Sequence, residues 1–159
     1  MVRKKYFVFL YKEAVKHMSI TVLPLFVYGS LRSGFQHPAY TYISRYFELA
    51  GTAKVRGELY DMGDYPAAVP SHADHWIVGE LYTIKQDTEF PWAIGQLDDY
   101  EGINGEADEP VLYGREKTTV YLNDTTVEAW IYWYKGDVSG RPRIDCGDLL
   151  VYMQQKNKL

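Results

Sequence analysis

Apolar residues fall along this chain in short runs of two different periods. Residues 23–28 (LPLFVY) form a brief apolar run that stops at Gly29, the pattern of a buried strand. Residues 37–47 (HPAYTYISRYF) place aromatic and aliphatic side chains at helical spacing, with Pro38 suited to a first turn. Strand-like content returns at 52–62, through Val55, Leu59 and Tyr60, and at 76–84 (WIVGELYTI). Between them, 61–70 (DMGDYPAAVP) is rich in turn formers and ends in a short apolar piece. The strongest helix spans 88–101, where Phe90, Ala93, Ile94 and Leu97 share one stripe. Residues 112–122 and 126–134 read as a hairpin turning through Asn123-Asp124. On its second strand Val127, Ala129, Ile131 and Trp133 alternate with Glu128, Trp130, Tyr132 and Tyr134. The second set is mostly aromatic, so both faces of that strand are expected to be covered.

Many strands with few helices predict an α+β domain built on a curved or barrel-like antiparallel sheet. A chain of 159 residues without repeats or linkers suits one domain, placed at 21–155. Residues 1–20 read as an N-terminal extension. Their Arg3-Lys4-Lys5 and YFVFLY resemble a secretory signal, but the apolar stretch is shorter than the ~7–15 residues required and no small-residue cleavage site follows. Gly147-Asp148 leads into a short C-terminal segment whose polar end, from 154 on, is expected to fray, leaving 156–159 as a tail.

Composition narrows the function. Aromatic residues reach 16%, and their polar tips can line a pocket as well as fill a core. Net charge is -4, with no basic stripe interleaved with aromatics, which argues against binding nucleic acid through its phosphates. Cys146 is the only cysteine, so no intrachain disulfide forms and a reducing cytoplasm is the expected compartment. No apolar run approaches the ~18 residues of a membrane-spanning helix.

Candidate chemistry begins at residues 96–102 (QLDDYEG), three acids in four positions. At ~100° per residue, Glu101 extends the apolar stripe four places after Leu97, Asp99 points to the opposite side, and Asp98 sits on the shoulder. Gly102 is placed to terminate the helix in a left-handed conformation. Burial and the negative end of the helix dipole both disfavour an inward anion there, so its proton affinity rises. A carboxyl poised near neutrality can take a proton and return it. The same position also suits a cap on a backbone amide or an ion pair with Arg115, and spacing alone leaves these open.

A second candidate is FVYGSLRSG, residues 26–34. A strand breaking into Gly-Ser-Leu can aim successive backbone N–H groups at one point and hold an anion. Gly29 permits close approach and Ser30 adds a hydroxyl. The terminal Gly-Lys-Ser/Thr of a phosphate-binding loop is missing, so a small carboxylate suits it better. A tight turn without any ligand would look the same.

In order along the chain, FVYGSLRSG, GELYDMGDYPAAV, LDDYEG and YGREKTTVYL resemble the γ-glutamylcyclotransferase-like family. That family is also described as AIG2-like and includes the γ-glutamylamine cyclotransferases. The closing AWIYWYKG and GDLLVYM segments fit as well, so the resemblance covers roughly residues 23–153. It implies a small, mostly antiparallel β-barrel with flanking helices and a cavity at one end. It implies that Tyr28, Gly29, Ser30 and Leu31 belong to the substrate loop, whose amides hold the α-carboxylate region of a γ-glutamyl group. The catalytic glutamate of the family falls at Glu101.

The reaction implied is intramolecular. The substrate's α-amine attacks its own γ-carbonyl, closing 5-oxoproline and expelling an amine, with no metal or nucleotide cofactor. Tyr60, Tyr113 and Tyr134 are expected as pocket walls. The expected partner is a small-molecule γ-glutamyl substrate, not nucleic acid or membrane, and its leaving group stays open between an amino acid, a lysine crosslink and an acyl-carrier-linked amine. Two other functions compete: a small-molecule binding protein on the same scaffold without turnover, and an interaction domain recruiting a partner through residues 6–11.

Other signals read as structural. His72 and His75 lie in a loop beside Pro70 with no third metal ligand near in sequence. Cys146 is expected as a packing residue, and no spacing pairs it with His37 as a nucleophile and base. Arg115 is expected in an ion pair, and residues 102–110 as an exposed acidic loop placed to act as a lid.

Overall fold

The computed structural model describes residues 20–103 and 110–158. Strand β1 (Leu25–Val27) is followed by a tight turn, a 3-10 turn (Ser33–Phe35) and helix α1 (Pro38–Tyr46). Strands β2 (Phe47–Asp61), β3 (Pro66–Pro70) and β4 (Trp76–Ile84) come next, then helix α2 (Phe90–Tyr100). The hairpin β5 (Tyr113–Leu122) and β6 (Thr125–Tyr134) and helix α3 (Leu149–Lys156) complete the order. The sheet runs β3-β2-β4-β1-β6-β5 and closes on itself where Lys54 of β2 pairs with Tyr121 of β5. Five strands thus form a closed barrel, with β3 added outside on β2. Every pairing is antiparallel except β1 with β6. This is the α+β, mostly antiparallel barrel with flanking helices that the sequence predicts.

Alternation along the strands divides the core in two. Phe26, Val55, Ile77, Leu81, Val120, Ala129, Ile131 and Trp133 pack together inside the barrel. Their neighbours Leu25, Val27, Tyr82 and Tyr132 face outward, and α1 and α2 cover them with Ile43, Phe90, Ala93, Ile94 and Leu97. Fully burying one such side chain, as at Phe90, contributes roughly 2–3 kcal/mol. The aromatic second face of β6 is therefore covered, and it is this face that seats α2 against the barrel.

Several boundaries differ from those expected. β2 starts at Phe47, directly after α1, because a bulge between Leu49 and Gly51 absorbs the glycine that broke the sequence pattern. The piece near Pro66 pairs with β2 as a strand of its own. Lys156, expected at the start of the tail, is the last helical residue of α3, and its Nζ lies 3.0 Å from Asp61 Oδ2. Asn123 takes a left-handed conformation (φ 52°) in the two-residue hairpin turn, as its residue type favours. The expected extension falls outside the described residues apart from Ile20, which packs on the outer core. Among the described residues no helix is long and apolar enough to cross a membrane.

Candidate active site

The last turn of α2 is fixed by its own backbone. Gly102 adopts φ +74°, its N–H bonds to the Asp99 carbonyl at 3.1 Å, and the Ile103 N–H bonds to the Asp98 carbonyl at 3.0 Å. This paired closure needs a residue tolerant of left-handed dihedrals after the cap, which glycine supplies. Glu101 is that cap, one residue beyond the helix, and its N–H bonds to the Leu97 carbonyl at 2.9 Å. Asp99 is exposed, as helical phase predicts.

Asp98, on the shoulder by phase, is buried. Its carboxylate receives Arg115 Nε at 2.8 Å and Nη2 at 3.1 Å, and the Tyr132 hydroxyl at 2.8 Å. The Arg115 guanidinium stacks 4.5 Å from the Trp130 ring centroid, so the pair sits between an aromatic plane and the helix. Arg115 thus pairs with Asp98 and leaves Glu101 alone. Among the described residues no donor or cation reaches the Glu101 carboxyl. Burial first, and the Asp98 charge second, push it up to about 7.

Opposite the helix end stands the loop after β1. The Arg32 N–H closes a turn on the Gly29 carbonyl at 2.9 Å, with the Ser30 and Leu31 amides at its crest. Among the described residues neither amide has an acceptor. A Cβ on Gly29 would meet Pro66 Cγ at 3.3 Å, a tight contact that glycine avoids where loop and β3 approach. Leu31 anchors the turn in the outer core. Beyond it, Glu80 on β4 takes the Ser33 N–H at 2.7 Å and its hydroxyl at 2.8 Å. Buried Arg32 reaches Asp148, the cap of α3, at 2.8 Å and lies 3.9 Å from Glu80. The loop is held rigidly from behind.

Between helix end and loop lies a cavity of about 460 Å³. Tyr28, Gly29, Ser30, Leu31, Glu101 and Tyr113 all line it. Tyr60 does not: it sits on β2 with its hydroxyl on Glu58 at 2.8 Å. Tyr134 stands behind the wall, its ring 5.5 Å from Tyr113 and 6.0 Å from Tyr65. The Tyr28 hydroxyl donates to the Tyr132 carbonyl and that of Tyr113 to the Pro66 carbonyl at 2.7 Å. Burial raises the proton affinity of both phenols, with Glu101 adding to it, so both remain protonated donors committed to structure. Ser30 Oγ lies 3.1 Å from the Tyr100 hydroxyl across the cavity mouth.

Sequence reasoning missed Tyr65, Pro66, Leu112 and Tyr132 as lining residues. Tyr132 left a signal as part of the aromatic face of its strand, and Tyr65 and Pro66 lie within the GELYDMGDYPAAV motif. The expected lid, residues 102–110, lies mostly outside the described residues, although Gly102 and Pro110 line the cavity. Cys146 is exposed rather than packed, and its thiol lies 3.4 Å from the Asp148 carbonyl. His37 caps α1 by accepting the Ala39 N–H, and His75 lies 3.5 Å from Glu58. Among the described residues no cluster of three or more His, Cys, Asp or Glu is arranged to hold a metal ion.

The model of the family described as gamma-glutamyl cyclotransferase, AIG2-like, matches residues 25–151. A Methanocaldococcus jannaschii protein provisionally named a gamma-glutamylcyclotransferase is 32% identical over 112 residues, 69% of this chain and 82% of its own. The gamma-L-glutamyl-butirosin B gamma-glutamyl cyclotransferase of Niallia circulans is 29% identical over 114 residues, 71% of this chain and 67% of its own. Among solved structures, Bacillus subtilis YkqA superposes with a TM-score of 0.65 at 20% identity over 87% of this chain. The chain spans only 44% of that larger protein, and at this identity the likeness bears on fold alone. With the barrel, the loop and the helix-end carboxyl in place, the chain belongs to the gamma-glutamyl cyclotransferase, AIG2-like, family.

Proposed function

We propose that this chain cleaves a γ-glutamyl amide by intramolecular cyclisation, releasing 5-oxoproline and an amine. The observation that carries this reading is Glu101: a carboxyl without partners among the described residues, at the cavity wall, with its proton affinity brought to about 7. The turn at Gly29–Leu31 supplies amides for the substrate's α-carboxylate, and fixing that group directs the neighbouring α-ammonium toward Glu101. Folding the substrate back on itself supplies most of the rate, because attack within one molecule has a high effective molarity.

Glu101 in its ionised form takes a proton from the ammonium. The amine nitrogen then bonds to the γ-carbonyl carbon. As the tetrahedral adduct collapses, the Glu101 carboxyl returns its proton to the departing nitrogen and the amide C–N bond breaks. The second proton shed by the attacking nitrogen ends on the released amine, so charge balances. A group half-ionised near neutrality can serve in both steps. No step requires a metal.

The Niallia circulans relative is named for γ-L-glutamyl-butirosin B, so the substrates worth testing extend beyond γ-glutamyl amino acids. The test is a panel of γ-glutamyl amino acids and γ-glutamyl amines assayed for 5-oxoproline, with Glu101→Gln as control. Release from at least one substrate, lost in the folded variant, supports the reading. Unchanged turnover in Glu101→Gln sinks the assignment. Binding of γ-glutamyl compounds with no release anywhere in the panel replaces it with a non-catalytic binding protein.

A further inference from the structure

Asp98 is not a lining residue of the cavity, yet it ties the helix end that carries Glu101 to two strands of the barrel. Its carbonyl closes the helix end on Ile103, and its side chain takes three donors from two strands. Arg115 brings it β5, and Tyr132 brings it β6. Tyr132 in turn accepts the Tyr28 hydroxyl on its carbonyl, which leads into the substrate loop. Glu101 lies three residues on, at the spacing of neighbours along a helix face. A buried arginine–carboxylate pair is held together tightly, and losing one partner leaves the other uncompensated.

We propose that Asp98 is the positioning residue for Glu101, and that the Arg115–Asp98–Tyr132 cluster sets the pH at which Glu101 accepts a proton. The proposal rests on the reading of Glu101 as the acid–base group. Two charges of opposite sign stand behind the carboxyl: Asp98 near it and Arg115 beyond. Removing the near one lets Glu101 ionise more easily, and removing the far one lets the Asp98 charge act unopposed. The two changes therefore move Glu101 in opposite directions. Among the described residues, the other titratable groups lining the cavity are tyrosines: Tyr28 after β1, Tyr65 before β3, Tyr100 on α2, Tyr113 on β5 and Tyr132 on β6, with burial raising the proton affinity of Tyr28, Tyr113 and Tyr132. Among the described residues no cation lines the cavity to mask the effect.

Two measurements on the full chain test this. The first is the acid limb of the pH profile of 5-oxoproline release. The second is the titration of the Glu101 side-chain carboxyl carbon by NMR without substrate, identified by its loss in Glu101→Gln. Asp98→Asn is expected to move both midpoints down by about half to one pH unit, and Arg115→Met to move them up. If Asp98→Asn does not fold, Arg115→Lys keeps a cation with a looser grip and is expected to shift the midpoint upward by less than Arg115→Met. Lower stability with an unmoved NMR midpoint, or a shift of the same sign in Asp98→Asn and Arg115→Met, overturns the proposal. Because the NMR titration needs no turnover, it stands even if the chain proves to be a binding protein.

Discussion

Two buried arginine–carboxylate clusters flank the cavity, and they are built differently. On the loop side, Arg32 lies between two carboxylates, Glu80 and Asp148, and Glu80 spends both oxygens on the backbone and hydroxyl of Ser33. On the helix side, Arg115 meets a single carboxylate with two nitrogens, and a phenol completes it. The loop-side cluster has one unmet donor, Arg32 Nε, while the helix-side contacts are short and complete. The first is organised around holding a stretch of backbone. The second is organised around holding charge close to a carboxyl that has none to balance it. In the proposed reaction, binding geometry and proton affinity thus fall to opposite walls of one cavity.

The largest expected effect breaks the loop side. Glu80→Ala strips Ser33 of both its acceptors and leaves Arg32 with Asp148 alone, so unfolding in urea should show a loss of about 3 kcal/mol. A loss within error would mean that the loop is held by Leu31 and the core instead. Glu101 sharpens the comparison through pH. Its carboxyl protonates near 7 in the folded chain against an ordinary value of 4.5. The folded state therefore binds the extra proton between those values, and that stability is fully present below 4.5 and lost as pH rises through 7. Glu101→Gln should match the parent at pH 4 and exceed it at pH 8. The cavity is open to solvent, which leaves a gain on the order of 2 kcal/mol.

How much of this was legible in the sequence depended on the kind of signal. Periodicity located every strand but β3, together with α2 and the phase of Glu101, because burial of one face is written into alternation. Asp98 was ambiguous for a physical reason: a shoulder position is buried only when a partner arrives, and Arg115 and Tyr132 come from strands distant in the chain. Tyr60 and Tyr134 were misplaced because a tyrosine on a strand reads the same whether its ring meets a cavity, a neighbouring ring or Glu58. The family resemblance named the loop, but not the Glu80 and Asp148 that hold it.

Smaller effects test the loop in finer steps. Gly29→Ala puts a methyl 3.3 Å from Pro66 Cγ, at a residue whose φ is not in the left-handed region. Stability should change by about 1 kcal/mol or less, while the KM for a γ-glutamyl substrate rises more than kcat falls. Equal changes in both would place the damage in Glu101's alignment instead. The smallest effect belongs to an exposed pair outside both clusters. Lys117 and Glu128 are 4.0 Å apart, and Lys117→Ala should alter stability by less than about 0.5 kcal/mol at any salt concentration.

Pro66 has a consequence beyond the cavity. It opens β3, and Pro70 closes it, in a strand of five residues whose one strand neighbour is β2. A barrel hides its strand edges by closure, so the added strand is where another chain could pair. Alternate residues face that outer edge, and with prolines at both ends Ala68 is the only one of Pro66, Ala68 and Pro70 that keeps an N–H donor for such pairing. The residue that takes the Tyr113 hydroxyl and crowds Gly29 thus also makes the outer edge of this sheet a poor template for self-association.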